Sequence, residues 1–121
     1  MNEIRVINKK GKKMLYKKRG ERDTVEEIVI ALCRDYRRRQ LAIEEGSASR
    51  RVLMEYAYLN SKMLLAAGEV TGGAYANAFI EDIGEGIGYA HSGIDTLSEN
   101  TYKTYKRQIK RAIAKKLHLT D

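Results

Sequence analysis

The chain has 121 residues, of which 32% are charged, and a formal net charge of +7 at pH 7; that size suits one compact domain or a small domain with an arm. No apolar run approaches the ~20 residues of a membrane span, and no apolar stretch follows the basic N-terminus, which argues against a secretory signal. The single cysteine, Cys33, rules out an intrachain disulfide and fits a reducing cytoplasm, and with only His91 and His118 beside it no standard zinc set is available.

The charge is unevenly distributed. Residues 1–20 carry eight basic groups against Glu3, residues 98–121 carry seven against Glu99 and Asp121, and the stretch between them is net acidic. Two cationic ends around an acidic middle match a partner that presents a line of negative charge. The plain alternative is that Lys-rich ends serve solubility. With no proline to interrupt them, and a composition rich in Ala, Leu, Ile, Glu, Lys and Arg, long helices and an all-α fold are expected.

Residues 1–20 lack helical periodicity. "EIRVI" followed by "NKKGKKMLYKK" reads either as a short β-hairpin turning near Asn8–Gly11 or as a basic arm. The arm is preferred, because an isolated two-stranded hairpin is marginal in water.

A helix is expected to start near Asp23 or Thr24, where "DTVE" places an acceptor side chain three residues before Glu26, the capping-box pattern. Val25, Ile28, Val29, Leu32, Tyr36 and Ile43 recur at helical spacing, and Gly46 ends the helix. Arg34, Arg37, Arg38 and Arg39 fall mostly off that stripe and read as a solvated face. Ser47 or Ser49 caps a second helix with the stripe Val52, Leu53, Tyr56, Leu59, Met63, Leu64 and Ala67. The two form an antiparallel hairpin over residues 21–70. Neither carries a second apolar stripe wide enough to insist on a coiled coil, and the hairpin needs the C-terminal region or a second subunit to cover it.

"GEVTGG", Gly68 to Gly73, marks a hinge before a third helix with Tyr75, Phe79, Ile80 and Ile83 on one side. That helix fades through "GEGIG" into the loop "YAHSGIDTL". The last helix, capped by Ser98, places Tyr102, Tyr105, Ile109, Ala112, Ile113 and Leu117 on one face and Lys103, Lys106, Arg107, Lys110 and Arg111 on the other. One face can bury; the other offers donors and charge to phosphates.

"DIGEGIG" (82–88), "SENTY" (98–102) and "KRAIAKKL" (110–117) together resemble the helix-turn-helix of sigma-factor region 4, with Gly84 where a small residue lets helices approach closely. Residues 90–97 exceed the usual turn, which implies a winged or elongated variant over residues 71–121. Upstream, "DYRRRQLAIEEGSASRRVLMEYAYLNSKMLLAAGEV" is similar to the N-terminal helical half of phage late-gene transcriptional regulators of the RinA/ArpU type. The resemblance implies a small cytoplasmic DNA-binding protein of a phage, prophage or similar element, acting on transcription, with double-stranded DNA as its partner, RNA polymerase as a second one, and no cofactor.

On that reading Glu99, Asn100, Lys103 and Arg107 are the base-reading candidates. Lys106, Lys110 and Arg111, with Lys12, Lys13, Lys17 and Lys18 of the arm, are the phosphate candidates. A homodimer through the hairpin would double the specificity of one recognition helix. Two rivals stand beside it: a helical oligomer that acts as a scaffold or packaging adaptor for protein partners, and a nonspecific nucleic-acid binder.

No enzyme is expected. "GEGIG" lacks the Lys-Ser/Thr and the preceding strand of a phosphate loop. His91, Ser92 and Asp95 sit too close along one loop to form a triad. Glu44–Glu45 and Glu81–Asp82 are sequence neighbours that diverge on a helix.

Overall fold

The computed structural model describes residues 23–94 and 96–120 in full, and the backbone alone of 3–7 and 13–17. In the latter, β1 (Glu3–Ile7) pairs antiparallel with β2 (Lys13–Lys17), Arg5 lying opposite Leu15. Asn8–Gly11, Lys12 and Lys18 lie outside the described residues. The rest is helical: α1 (Thr24–Arg34), α2 (Tyr36–Glu45), α3 (Arg50–Thr71), α4 (Ala76–Glu85) and α5 (Glu99–Lys116), with a single 3₁₀ turn at Tyr89–His91.

α1 starts where the capping pattern places it: Asp23 accepts a hydrogen bond from the Glu26 amide at 2.7 Å. It does not run unbroken to Gly46. The ladder breaks at Asp35, and the Arg39 guanidinium donates to the Leu32 carbonyl at 2.7 Å, a group left open by the helix end. Gly46 then closes α2 in the left-handed conformation, φ 62°, which costs a glycine nothing.

Ser49 caps α3 by accepting from the Val52 amide at 3.3 Å. α3 continues through Gly68 to Thr71, so the expected hinge is displaced to Gly72 and Gly73. The helix survives because Gly68 is a single interior glycine, a cost of about 1 kcal/mol, with apolar burial on both sides from Ala66, Ala67 and Val70.

α3 is the central rod. α2, α4 and α5 all pack on it, while α1 packs on α4 and α5. A single apolar cluster draws on all these helices: Val29, Ile30 and Cys33 from α1, Tyr36 from α2, Met63 and Ala66 from α3, Phe79 and Ile80 from α4, Ile109 and Ile113 from α5. Each such large side chain taken from water contributes roughly 1.5–3 kcal/mol. The C-terminal region thus covers one side of the α2–α3 hairpin.

Two close fits define the packing. Gly84 permits a close helix approach, but its neighbour is α1 and not α5: a Cβ there would lie 2.6 Å from the Arg34 amide nitrogen and 2.7 Å from the Cys33 carbonyl carbon. Arg39 is the second. Expected on a solvated face, it is 2% exposed and donates to Asn60 Oδ1 at 2.7 Å, to Asp35 Oδ2 at 3.2 Å and to Leu32 O, while Asn60 returns a bond to the Tyr36 carbonyl at 3.1 Å. The planar fork satisfies three acceptors on α1, α3 and the α1–α2 junction at once, which makes its burial tolerable. Arg37 and Arg38 do face solvent, Arg38 clasping Asp35 at 2.5 and 2.7 Å.

Candidate nucleic-acid interface

The cap of α5 is as expected: Ser98 accepts from the Thr101 amide at 3.1 Å. Tyr102, Ile109, Ile113 and Ala114 are buried, and Tyr105 is half-buried, with Phe79 as the shared aromatic contact of both tyrosines at 5.6 and 6.1 Å between ring centroids. The α4–α5 connection runs from Gly86 to Ser98, far longer than the roughly three- to four-residue turn of a tight helix-turn-helix. It is fastened instead. Ile94 plugs the core, the Tyr89 hydroxyl donates to the Leu97 carbonyl at 2.6 Å, and Ser92 bonds both Tyr89 O and the Ile94 amide.

The position of α5 is fixed from below by Asp82. This carboxylate is fully buried, accepts the Tyr102 hydroxyl and the Gly88 amide (3.1 Å), and lies 3.5 Å from the Lys106 ammonium, which also sits over the Tyr102 ring. Burial, and then the bond to Asp82, push the Tyr102 hydroxyl well above its ordinary pKa, so it stays a donor. The burial of Asp82 was not expected from its place beside Glu81, although the signal was there: one acid within the apolar run Phe79, Ile80, Ile83 of a short helix.

The cations of α5 fall into two sets. Lys106 leans inward on Asp82. Lys110 reaches Glu26 at 2.8 Å on α1, and Lys116 pairs with Glu69 on α3. These three side chains are about three-quarters covered. The second set is exposed, with Arg107 and Arg111 bordering a cleft shared with Asp23, Val25 and Glu26 at the start of α1. Lys103, Arg107, Arg111 and Lys115 are exposed and follow one another at steps of four, so they make a single row along the helix. Lys103 has a loose, solvent-exposed partner in Glu99 at 3.8 Å; Arg107, Arg111 and Lys115 form no ion pair among the described residues. Glu99 and Asn100 are exposed at the N-terminal end of the same row.

Of the expected base-reading set, then, Glu99, Asn100, Lys103 and Arg107 are brought together on one outward strip. Of the expected phosphate set, Arg111 is on that strip, and Lys106 and Lys110 are turned back against the protein's own acids. Lys115 joins the strip without having been singled out. Lys12 and Lys18 lie outside the described residues, and of Lys13 and Lys17 only the strand backbone is described. No helix among the described residues is long and apolar enough to cross a membrane. Comparison with protein-family models, curated proteins and solved structures finds no match.

Proposed function

We propose that this is a DNA-binding protein that reads duplex sequence with α5 in the control of transcription. The observation that carries the reading is the division of the α5 cations. Three are spent inside the fold, and four stand in an exposed row along the helix that forms no ion pair with another helix among the described residues. A row of cations at helical spacing is complementary to a phosphate backbone. In this reading Glu99, Asn100, Lys103 and Arg107, near the helix start, face base edges in a major groove, and Arg111 and Lys115 hold phosphates. Lys106 and Lys110 serve to hold α5 against α4 and α1. The resemblance to phage late-gene regulators supports the transcriptional role.

The test is a titration against duplex DNA of varied sequence at several salt concentrations. Each phosphate contact contributes about 0.9 to the slope of log affinity against log salt. Replacing Arg111 and Lys115 by Ala is expected to lower that slope by nearly two in the double variant. Lys103→Ala with Arg107→Ala is expected to erase sequence preference more than total affinity. Lys110→Ala leaves the slope unchanged. Salt-insensitive binding, or none, would leave the scaffold reading standing. A slope without sequence preference would make the protein a nonspecific binder.

A further inference from the structure

α3 has two apolar faces, and the bundle uses one. Asn60, Met63, Ala66 and Ala67 are buried, while Met54, Tyr58 and Leu65 are 63%, 65% and 54% exposed. With Ser61 between them, these exposed positions advance by four, three and four residues, on the side of the helix opposite the buried stripe. A repeat of 3.5 is the seam of a two-helix coiled coil. Beside it lies an open depression of about 500 Å³ lined by Glu69 and by Ser61, Leu64, Leu65 and Gly68. Their spacing, i, i+3, i+4 and i+7, is that of the four residues that form a hole for an incoming side chain.

The charges choose the occupant. Glu55 and Lys62 flank the seam on the same side, seven residues apart and both reachable from a facing helix; within the chain Glu55 has a loose, exposed partner in Arg51 at 3.5 Å, and the Lys62 ammonium lies 5.4 Å from the centre of the Tyr58 ring. If a second copy of α3 lies antiparallel about a two-fold axis midway between Leu59 and Asn60, Glu55 of each copy meets Lys62 of the other. The same register sets Met54 against the second copy's Leu65, in the depression, and Tyr58 against the small Ser61. Apolar meets apolar, large meets small, and both ion pairs are satisfied at once. In a parallel pairing in register the two copies carry these flanks on opposite sides of the seam, so neither Glu55–Lys62 pair is made.

We infer that the chain self-associates through this face of α3 as an antiparallel, two-fold homodimer. The inference is independent of DNA binding, and its readout is taken without DNA. The full chain is expected to show twice its monomer mass by light scattering at micromolar concentration. Glu55→Lys, an exposed change that leaves the bundle intact by circular dichroism, is expected to weaken the dimer about tenfold or more, because two attractions become two repulsions. Adding Lys62→Glu restores it. Oxidation of an equimolar mixture of Met54→Cys and Leu65→Cys is expected to give the covalent heterodimer, and neither variant alone cross-links. A monomer at all concentrations, failure of the charge swap to restore mass, or cross-linking of Met54→Cys with itself would each overturn the inference.

Discussion

Gly84→Ala offers the sharpest test of how α4 is seated. A methyl group at this position meets backbone atoms of α1 at 2.6–2.7 Å, where ordinary contact begins near 3.4 Å. The neighbours are the Arg34 amide and Cα and the Cys33 carbonyl carbon, so no flexible side chain can swing aside. α1 and α4 have to part by about 0.7–0.8 Å locally, which loosens Cys33, Phe79 and Ile80 and the bond from Arg34 Nε to the Gly84 carbonyl at 3.3 Å. Overpacking of this kind costs about 1–3 kcal/mol, with a backbone clash at the upper end. Alanine recovers about 1 kcal/mol of helix propensity. The expected net loss is about 2 kcal/mol, read as a lower midpoint in urea denaturation followed by circular dichroism, or a melting temperature lower by roughly 6–12 °C. Gly68→Ala is the control: its Cβ finds nothing nearer than 3.7 Å, so propensity alone acts and the protein gains up to about 1 kcal/mol. Equal or greater stability of Gly84→Ala would refute the close approach of α1 and α4. It would also remove the reason for placing Asp82, and with it α5, where they are.

Arg39→Ala is expected to cost about 3 kcal/mol or more in urea denaturation, since it strips Asp35, Asn60 and the Leu32 carbonyl of a buried donor; a loss within 0.5 kcal/mol, the range of surface changes, would mean the guanidinium is hydrated. Burial pushes the Cys33 thiol up from 9.0 to about 12, against the opposing pull of the Arg39 and Lys110 charges. The unfolded chain therefore gives up this proton between pH 9 and 12 while the fold retains it, so this contribution is complete below pH 9 and declines as pH rises. One proton corresponds to about 1.4 kcal/mol per pH unit. Cys33→Ala is expected to be less stable at neutral pH but to flatten the alkaline limb of the stability–pH curve by about that slope; an unchanged limb would show that the thiol is not shielded.

Local chemistry was readable in the sequence and the sharing of neighbours was not. Asp23, Ser49 and Ser98 announce three helix starts because a cap needs only residues three positions away, and Gly46 announces an end because one left-handed residue suffices. Periodicity placed Val29, Phe79, Ile80, Tyr102, Ile109 and Ile113 in the core. The all-α class and a basic face on α5 follow from such short-range rules. Which helix meets which does not. That Gly84 faces α1, that Arg39 turns inward and that α3 outlasts Gly68 depend on contacts between residues tens of positions apart. So does the division of the α5 cations. Lys106 and Arg107 are adjacent and equally charged, and only the arrival of Asp82 beneath one of them, across 24 positions of chain, makes it a strut and leaves the other exposed, with no ion pair among the described residues. Charge is a property of the residue; the partner that neutralises it is a property of the fold.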